Sequence, residues 1–280
     1  MRGVRPTPSG TVRKLAVAAG VGALVLAAGG CNLPTFGAFR GATTQAQSEF
    51  KLWSWMMIAG LSVLALVTVL IIWGSLAYRR RDAEHFPRQF HSNLPVEVLY
   101  TVLPILIVAV IFAYTVATEN KIDALTPHPA VTIQVTGFQW GWKFQYVDPA
   151  GHNIAMVETA ARPTALAQNP TSSQYPQFEL PVGETTRIVL QSTDVVHTFY
   201  IPEFNFGRYA LPGVVNHFDF TPVTLGTFDG RCATYCGLYH SEMLFSVKVV
   251  TPGAFATWLS QHGDSQPLAS FGNTVQAPAS

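Results

Sequence analysis

Two long apolar segments, separated by a short basic stretch, constrain the fold of this chain more than any other feature. Residues 52–77 hold apolar and small side chains with a few Ser, Thr and Trp, and a helix of this length extends about 39 Å. When tilted, it can cross a hydrocarbon layer of roughly 30 Å. A second span is predicted at residues 98–117, so we predict a transmembrane helical hairpin over residues 52–119. Composition agrees, because a chain that is 49% apolar and 12% charged is neither disordered nor typical of a wholly soluble globule.

The first 30 residues have the features of an export signal. Basic residues precede an apolar run at residues 15–28, which is too short to span a membrane comfortably. Small residues then lead to Cys31, as at a bacterial lipoprotein cleavage site. We predict a lipoprotein-type signal peptide over residues 1–30, a lipidated Cys31 and an extracytoplasmic N-terminal segment over residues 31–51. The alternative is an ordinary signal peptide or an uncleaved anchor, in which Cys31 has no role.

Arginines after the first span predict the orientation of the hairpin. Arg79, Arg80 and Arg81 follow the span at once, and basic residues beside a span stay in the cytoplasm. Glu119 leaves the second span on the opposite side. We therefore expect a multi-pass protein of the bacterial cell membrane with both mature termini, and everything after residue 119, on the extracytoplasmic side.

Residues 120–262 have the pattern of an all-β domain. Short runs rich in β-branched and aromatic residues alternate with turn residues such as those at 181–183 and 229–230. The predicted strands lie at residues 131–146 (one bent strand or two), 178–180, 185–190, 195–201, 214–221, 225–231 and 243–250. A short closing helix is predicted at residues 252–262, and this pattern is typical of a sandwich or Greek-key barrel. The Ser-, Gln-, Pro- and Ala-rich residues 263–280 are expected to form a flexible tail.

One loop between two predicted strands carries a set of metal-binding side chains. Cys232, Cys236, His240 and Met243 follow one another at spacings of four, four and three residues, and His197 lies 35 residues before the first of them. Thiolate, imidazole and thioether ligands together favour copper over magnesium or calcium. A blue-copper site uses two His, one Cys and a weak Met, so the additional Cys allows two sulfurs to bridge two copper ions. Two ions that share one electron suit electron transfer rather than catalysis on a substrate.

Two other interpretations of these residues stay open at this point. Cys232 and Cys236 could form a disulfide outside the cytoplasm. Two Cys and two His also suit a zinc ion, although zinc leaves Met243 unexplained.

These motifs resemble subunit II of the haem–copper cytochrome c oxidases, in which a cupredoxin domain bears a dinuclear copper centre called CuA. The resemblance covers residues 52–259. It rests on the hairpin, the copper loop, the Glu-x-x-x-Thr-x-Leu-Pro stretch from Glu97, the Gln-Trp-x-Trp stretch from Gln139 and the Asp-x-x-His stretch from Asp194. It implies a two-helix transmembrane hairpin plus an all-β cupredoxin-like Greek-key domain at residues 120–262.

The resemblance also implies the role of each ligand in the copper loop. His197 and His240 each bind one copper ion, and Cys232 and Cys236 bridge both. A weak ligand completes the coordination of each ion. It is the side chain of Met243 for one ion and the backbone carbonyl of Thr234 for the other.

Thr234 departs from the family pattern. The family usually has Glu at this position, whose carboxylate helps to bind magnesium or manganese at the contact with subunit I. Threonine has no carboxylate, so this chain is not expected to contribute to that second metal. A backbone carbonyl survives any substitution, so copper binding should persist.

The resemblance assigns roles to Trp140, Trp142 and Glu97, which lie outside the ligand set. Trp140 is the point where an electron enters from cytochrome c, whereas Trp142 is more structural. An aromatic strand that packs in the core or touches the membrane surface is the alternative for this stretch. Glu97 matches a glutamate at the entrance of a proton pathway of subunit I. The alternative is that Glu97 is an interfacial residue in contact with water and has no role in proton transfer. Asp194 is expected to be a surface acid that helps to dock a basic cytochrome, since residues 119–280 contain 12 acidic and 7 basic side chains.

The function that this resemblance implies is that of the electron-entry subunit of an aa3-type cytochrome c oxidase. Cytochrome c, or a cytochrome c domain of the reductase, reduces CuA, and the electron passes to a haem in subunit I. There oxygen is reduced to water with proton pumping, so this chain itself holds no haem. The implied partners are subunits I and III and membrane lipid, and a net charge of +1 gives no indication of nucleic acid. Alternatives are a quinol oxidase subunit II, a copper chaperone for oxidase assembly and a nitrous-oxide-reducing enzyme with a CuA domain.

Overall fold

The fold is a helical hairpin followed by a β sandwich, in a computed structural model that describes residues 35–79, 91–158 and 175–262. The predicted signal peptide, Cys31 and the predicted tail lie outside the described residues. So does most of residues 160–177, which the sequence predicts to be an exposed loop.

The first helix, α1, spans Thr44–Ala77 and begins earlier than the predicted span. Thr43 caps it, because its hydroxyl accepts a hydrogen bond of 3.1 Å from the backbone N–H of Ala46. The first two turns carry polar side chains such as Glu49. The predicted span includes only the apolar run and therefore leaves these turns out. Residues 44–51 of the predicted N-terminal segment are therefore helical.

The second helix, α2, spans Leu94–Asp123, which is about 45 Å. Asn93 caps it by accepting from the backbone N–H of Val96 at 3.5 Å. Pro104 lies inside the helix, which continues on both sides of it, although a proline in a spanning helix is predicted to kink it or loosen its backbone bonding. Both helices are long and apolar enough to cross a membrane, each with a mean hydropathy of 2.5.

The β domain consists of two five-stranded sheets that enclose one core. Its strands are β1 Val131–Phe138, β2 Gly141–Val147, β3 Asn153–Glu158, β4 Gln177–Pro181, β5 Thr186–Ser192, β6 His197–Ile201, β7 Phe206–Ala210, β8 Asn216–Phe220, β9 Gly226–Cys232 and β10 Leu244–Val250. The first sheet has the order β3-β2-β1-β5-β8 and the second β4-β10-β9-β6-β7. Helix α3, Pro252–Gln261, follows β10 as predicted. The predicted class, a helical hairpin with an all-β cupredoxin-like domain, is confirmed, although β3 and β7 were not predicted.

Aromatic rings fill the space between the two sheets. Trp142 and Phe144 of β2 meet Phe199 of β6 and Phe245 of β10. The last two rings stack at 4.9 Å between centroids. All four side chains are buried, and full burial of such a side chain stabilises a fold by roughly 1.5–3 kcal/mol. This layer supports the loop that enters β6 and the loop that leaves β9.

The segment just before α1 is bound to the β domain, and we call it the N-terminal strap (residues 42–44). The backbone N–H of Ala42 donates to the carbonyl of Glu203 at 2.8 Å, and that of Thr44 donates to the carbonyl of Thr221 at 3.0 Å. Ala42 is buried. The chain therefore enters its first helix from a fixed position on the domain.

The connection from α2 to β1 is held by a buried ion pair. Arg187 donates to both carboxylate oxygens of Asp219, at 2.8 and 2.9 Å. It also donates to the carbonyl of Thr126 at 2.6 Å, while the backbone N–H of Thr126 donates to Asp219 at 2.6 Å. The Asp219 side chain is only 1% exposed, and the paired arginine offsets the cost of burying its charge.

Gly230 of β9 provides a test of the core. A Cβ atom at this position would lie 2.0 Å from the ring of Phe245. We expect Gly230→Ala to lower the free energy of unfolding by about 1–3 kcal/mol, as overpacking of a core does. Denaturant unfolding of the purified chain in detergent measures the change. The matched control is Gly253→Ala in α3, where a Cβ meets nothing within 4 Å, and equal midpoints for the two variants would contradict the prediction.

Candidate metal centre

Three neighbouring strands of the second sheet bring the predicted ligands together. His197 begins β6, Cys232 ends β9 and Met243 immediately precedes β10. Strand β9 pairs with both β6 and β10, so these three positions meet at one end of the sheet. Cys236 and His240 lie on the loop that joins β9 to β10.

Four donor atoms form a continuous series across this loop. His197 Nδ1 lies 4.0 Å from Cys232 Sγ, the two sulfurs lie 3.9 Å apart, and Cys236 Sγ lies 3.6 Å from His240 Nδ1. Two ligands bound to one ion at about 2.0–2.3 Å are separated by a similar distance. A disulfide has an S–S bond of about 2.05 Å, so both cysteines are free thiols here. The donors therefore fit metal ions held between neighbouring members of the series.

Two weaker donors lie beside the sulfurs. The backbone carbonyl oxygen of Thr234 is 3.2 Å from Cys232 Sγ, and Met243 Sδ is 3.8 Å from Cys236 Sγ. Met243 is buried, although its thioether could equally pack as an apolar side chain in the core. Its place beside a thiol adds a soft donor to the site.

The two thiols have opposite pKa shifts. Burial disfavours the thiolate of Cys232, but hydrogen bonds with His197 and with the backbone at Thr198 and Thr234 lower its pKa to about 6. Burial and the adjacent charge of Cys232 raise the pKa of Cys236 to about 12. The first proton of the metal-free pair is therefore lost more easily than the second, and a cation bound to both sulfurs would displace both.

Asp194 holds the other ring nitrogen of His197. Its Oδ1 lies 2.8 Å from His197 Nε2, and its carboxylate accepts from the backbone N–H groups of Gln139 and Val195, each at 2.6 Å. Partial burial would raise the pKa of Asp194, but these hydrogen bonds lower it. A carboxylate in this position fixes the ring orientation and directs Nδ1 toward the sulfurs. Asp194 is an exposed residue, as expected of a surface acid, and its carboxylate also holds one of the predicted ligands.

Gln139 and Trp140 both contact the carbonyl of Cys236. Gln139 Nε2 donates to it at 2.8 Å and Trp140 Nε1 at 3.2 Å. Gly237 has a φ of +123°, and a Cβ there would come within 3.0 Å of the Trp140 ring. A glycine is thus required for both side chains to reach the loop. The Gln-Trp-x-Trp pattern contains Gln139, but nothing in the sequence indicates its contact with Cys236.

The structure brings most of the predicted site residues to this one end of the domain. They are Trp140, His197, Cys232, Thr234, Cys236, His240 and Met243. Glu97 is not among them, since it lies in the first turn of α2, where its Oε1 accepts from the backbone N–H of Asn93 at 2.9 Å. The expected structural role of Trp142 agrees with its complete burial against His197 and the aromatic core.

Comparison with known proteins gives matches over both parts of the chain. The family model described as the periplasmic domain of cytochrome c oxidase subunit II matches residues 131–250, and that described as its transmembrane domain matches residues 35–117. A probable cytochrome c oxidase subunit 2 of Streptomyces avermitilis is 36% identical, over 95% of this chain and 90% of the relative. The cytochrome c oxidase subunit 2 of Mycobacterium tuberculosis is 32% identical, over 97% of this chain and 88% of the relative.

Among solved structures, the periplasmic domain of subunit II of the cytochrome oxidase of Bradyrhizobium japonicum is similar to the β domain. It is 28% identical and covers 49% of this chain and 96% of that domain, with a TM-score of 0.41. The family matches and the full-length relatives give the same assignment for both parts of the molecule. The chain is therefore a membrane protein that belongs to the cytochrome c oxidase subunit II family, a component of haem–copper oxidoreductase complexes.

Proposed function

We propose that this subunit receives electrons from a cytochrome c at a dinuclear copper centre and passes them to a haem of subunit I in an aa3-type oxidase. Subunit I would then reduce oxygen to water and pump protons. The observation that carries the proposal is the position of the Cys232 and Cys236 sulfurs in the middle of the donor series, with one histidine beside each. Copper bound there would supply a one-electron couple shared between two ions.

The shape of the donor series favours two ions over a single zinc. Zinc in a structural site needs four donors around one point. Among the described residues, the donors that all lie within 4.8 Å of one another belong to His197, Cys232 and Cys236, and His240 is outside that group. An elongated series with sulfur in the middle suits two ions that share both thiolates. The thioether of Met243 is a soft donor, which favours copper.

The surroundings of His197 support electron transfer because they restrict movement of the ligand. Its side chain is fully buried, one nitrogen is bound to Asp194, and its ring lies 6.1 Å from the ring of Trp142. A ligand that is held in this way changes position little between two redox states. Small changes of geometry favour rapid electron transfer.

Trp140 supports a route for the incoming electron. Its half-buried ring donates a hydrogen bond to the carbonyl of Cys236, so one hydrogen bond joins the domain surface to a metal ligand. Tyr235 and Leu238 on the same loop are 79% and 75% exposed. We propose that this face meets the cytochrome, and that acidic side chains elsewhere on the domain raise the encounter rate with a basic partner.

The same proposal includes the surroundings of the subunit. Subunits I and III and lipid would surround the hairpin, with the β domain on the extracytoplasmic side. The predicted leader at residues 1–30 and lipidation of Cys31 also remain proposals, which mass spectrometry of the mature N-terminus tests. Magnesium at the subunit I contact is not expected to use Thr234, because threonine has no carboxylate.

Two alternatives are weakened by observations on this chain. Copper chaperones of the Cys-x-x-x-Cys type have a thioredoxin-like αβ fold, whereas this domain is an all-β sandwich. A quinol oxidase subunit II lacks the copper ligands, whereas here the ligand side chains lie together.

Electron spin resonance of the purified oxidase tests the proposal. We expect copper hyperfine structure from an electron spread over two nuclei. Elemental analysis of the complex should give two copper ions in addition to the copper of subunit I. A single-copper pattern would contradict the dinuclear centre, and zinc in place of copper would support the rival metal site.

Glu97 gives a separate test of proton uptake. We expect Glu97→Gln to slow turnover and proton uptake while copper content stays unchanged. The amide oxygen of Gln can still accept a hydrogen bond from the backbone N–H of Asn93, so the N-terminus of α2 keeps this hydrogen bond. Proton uptake in reconstituted vesicles measures the effect, and an unchanged rate would leave Glu97 as a helix-capping residue only.

A further inference from the structure

We propose that Thr198 is a positioning residue for the metal centre. The hydrogen bond between its hydroxyl and that of Thr234 holds the Thr234 carbonyl beside Cys232. This inference rests on the proposed copper function and adds to it. It concerns a residue that is not a metal ligand, on the strand next to the copper loop.

Thr198 lies at the junction of the two segments that carry ligands. It follows His197 on β6 and is only 9% exposed. Its carbonyl accepts from the backbone N–H of Ala233 at 3.3 Å. That is the last backbone hydrogen bond between β6 and the chain leaving β9, so the sheet no longer restrains Thr234.

The hydroxyl pair extends this connection by one residue. Thr234 lies in a bend outside the strand, midway between Cys232 and Cys236. Its Oγ1 is hydrogen-bonded to the Oγ1 of Thr198. With the side chain fixed, the carbonyl of Thr234 lies 3.2 Å from Cys232 Sγ. The bond thus sets the position of the one weak donor that comes from the backbone.

Threonine at position 198 suits this role for a geometric reason. Two heavy atoms on Cβ restrict the first side-chain torsion. The methyl group faces Gly207 of the neighbouring strand, where a Cβ would meet it at 3.7 Å, and the hydroxyl is then free to face Thr234. Valine at this position keeps the shape but leaves the Thr234 hydroxyl unpaired.

A double-mutant cycle in the assembled oxidase tests the inference. The variants are Thr198→Val, Thr234→Val and the double variant, with Thr227→Val at an exposed position of β9 as matched control. We expect each single variant to speed copper release to a chelator roughly three- to tenfold, the equivalent of one lost hydrogen bond. The double variant should be no worse than either single variant, because both remove the same interaction. The copper hyperfine pattern should also change in all three, while Thr198→Ser and Thr227→Val stay close to the unmodified protein.

The outcomes separate this inference from the proposed function. The role of Thr198 would be overturned if the effects of the two single variants simply added in the double variant. It would also be overturned if the variants retained copper and matched the control. Either result would leave the copper function intact. Absence of copper from the unmodified chain would overturn both. If Thr198→Val fails to assemble, the comparison of Thr234→Val with the unmodified chain still tests the inference. An unchanged rate of copper release and an unchanged spectrum would refute a positioning role of the hydrogen bond between the two threonines.

Discussion

Replacing Cys236 by serine is expected to remove both copper ions from the assembled oxidase. Cys236 Sγ lies 3.9, 3.6 and 3.8 Å from Cys232 Sγ, His240 Nδ1 and Met243 Sδ, so it is the most connected donor of the site. A serine hydroxyl is a harder donor that stays protonated at neutral pH, and it cannot replace a thiolate shared by two ions. Cytochrome c-driven oxygen uptake, measured with an oxygen electrode, should fall to background. Elemental analysis should show the loss of two copper ions per complex.

The third cysteine of the chain provides the matched control. Cys31→Ser removes the predicted lipid attachment site but is expected to leave copper content and turnover per assembled complex unchanged. The haem content of each preparation verifies that subunit I is present. An unchanged copper content of the complex in Cys236→Ser, with normal turnover, would contradict the proposed centre.

Replacing Trp140 by leucine should impair electron entry without loss of copper. The indole ring contacts the Cys236 carbonyl through its N–H and packs edge-to-face on Tyr239 at 5.0 Å. Leucine keeps an apolar side chain but removes the ring and its hydrogen bond. We expect kcat/KM for cytochrome c to fall on the order of 30-fold, the equivalent of about 2 kcal/mol for loss of a central interface tryptophan. Steady-state kinetics and the copper spectrum measure the two parts of this prediction.

Two controls distinguish a blocked entry point from a damaged metal site. A small inorganic reductant that needs no docking surface should reduce Trp140→Leu at the normal rate. Trp55→Leu in α1, where the ring is 62% exposed, should leave both rates unchanged. An equal loss with both electron donors would mean that Trp140 supports the loop and is not a point of entry.

The parts of the fold that follow from local patterns were predictable. A long apolar run leaves few solutions other than a spanning helix, and β5 alternates buried and half-buried residues along its whole length. The copper loop was recognisable because Cys232, Cys236, His240 and Met243 are close together in the sequence. His197 was harder to place, since only the pairing of β6 with β9 brings it to the loop.

The features that escaped prediction depend on contacts between distant segments. Asp194 and Gln139 support the site from two different loops, and their contacts exist only once both sheets are assembled. Strand β7 contains Gly207 and Arg208, which weaken the sequence signal for a strand. The early start of α1 depends on a single cap at Thr43, which a hydropathy window does not detect.

The N-terminal strap and the Thr126 connection together restrict how the soluble part can move above the lipid. Both points of entry are tied near the same place, since Thr44 is bound to Thr221 and Thr126 to Asp219, two residues apart in the chain. Two connections restrict rotation of the sandwich more than a single flexible joint would. Tunnelling probability decays exponentially with separation, so, if the sulfur pair carries electrons as proposed, a constant position of this pair would give every turnover the same distance to the acceptor.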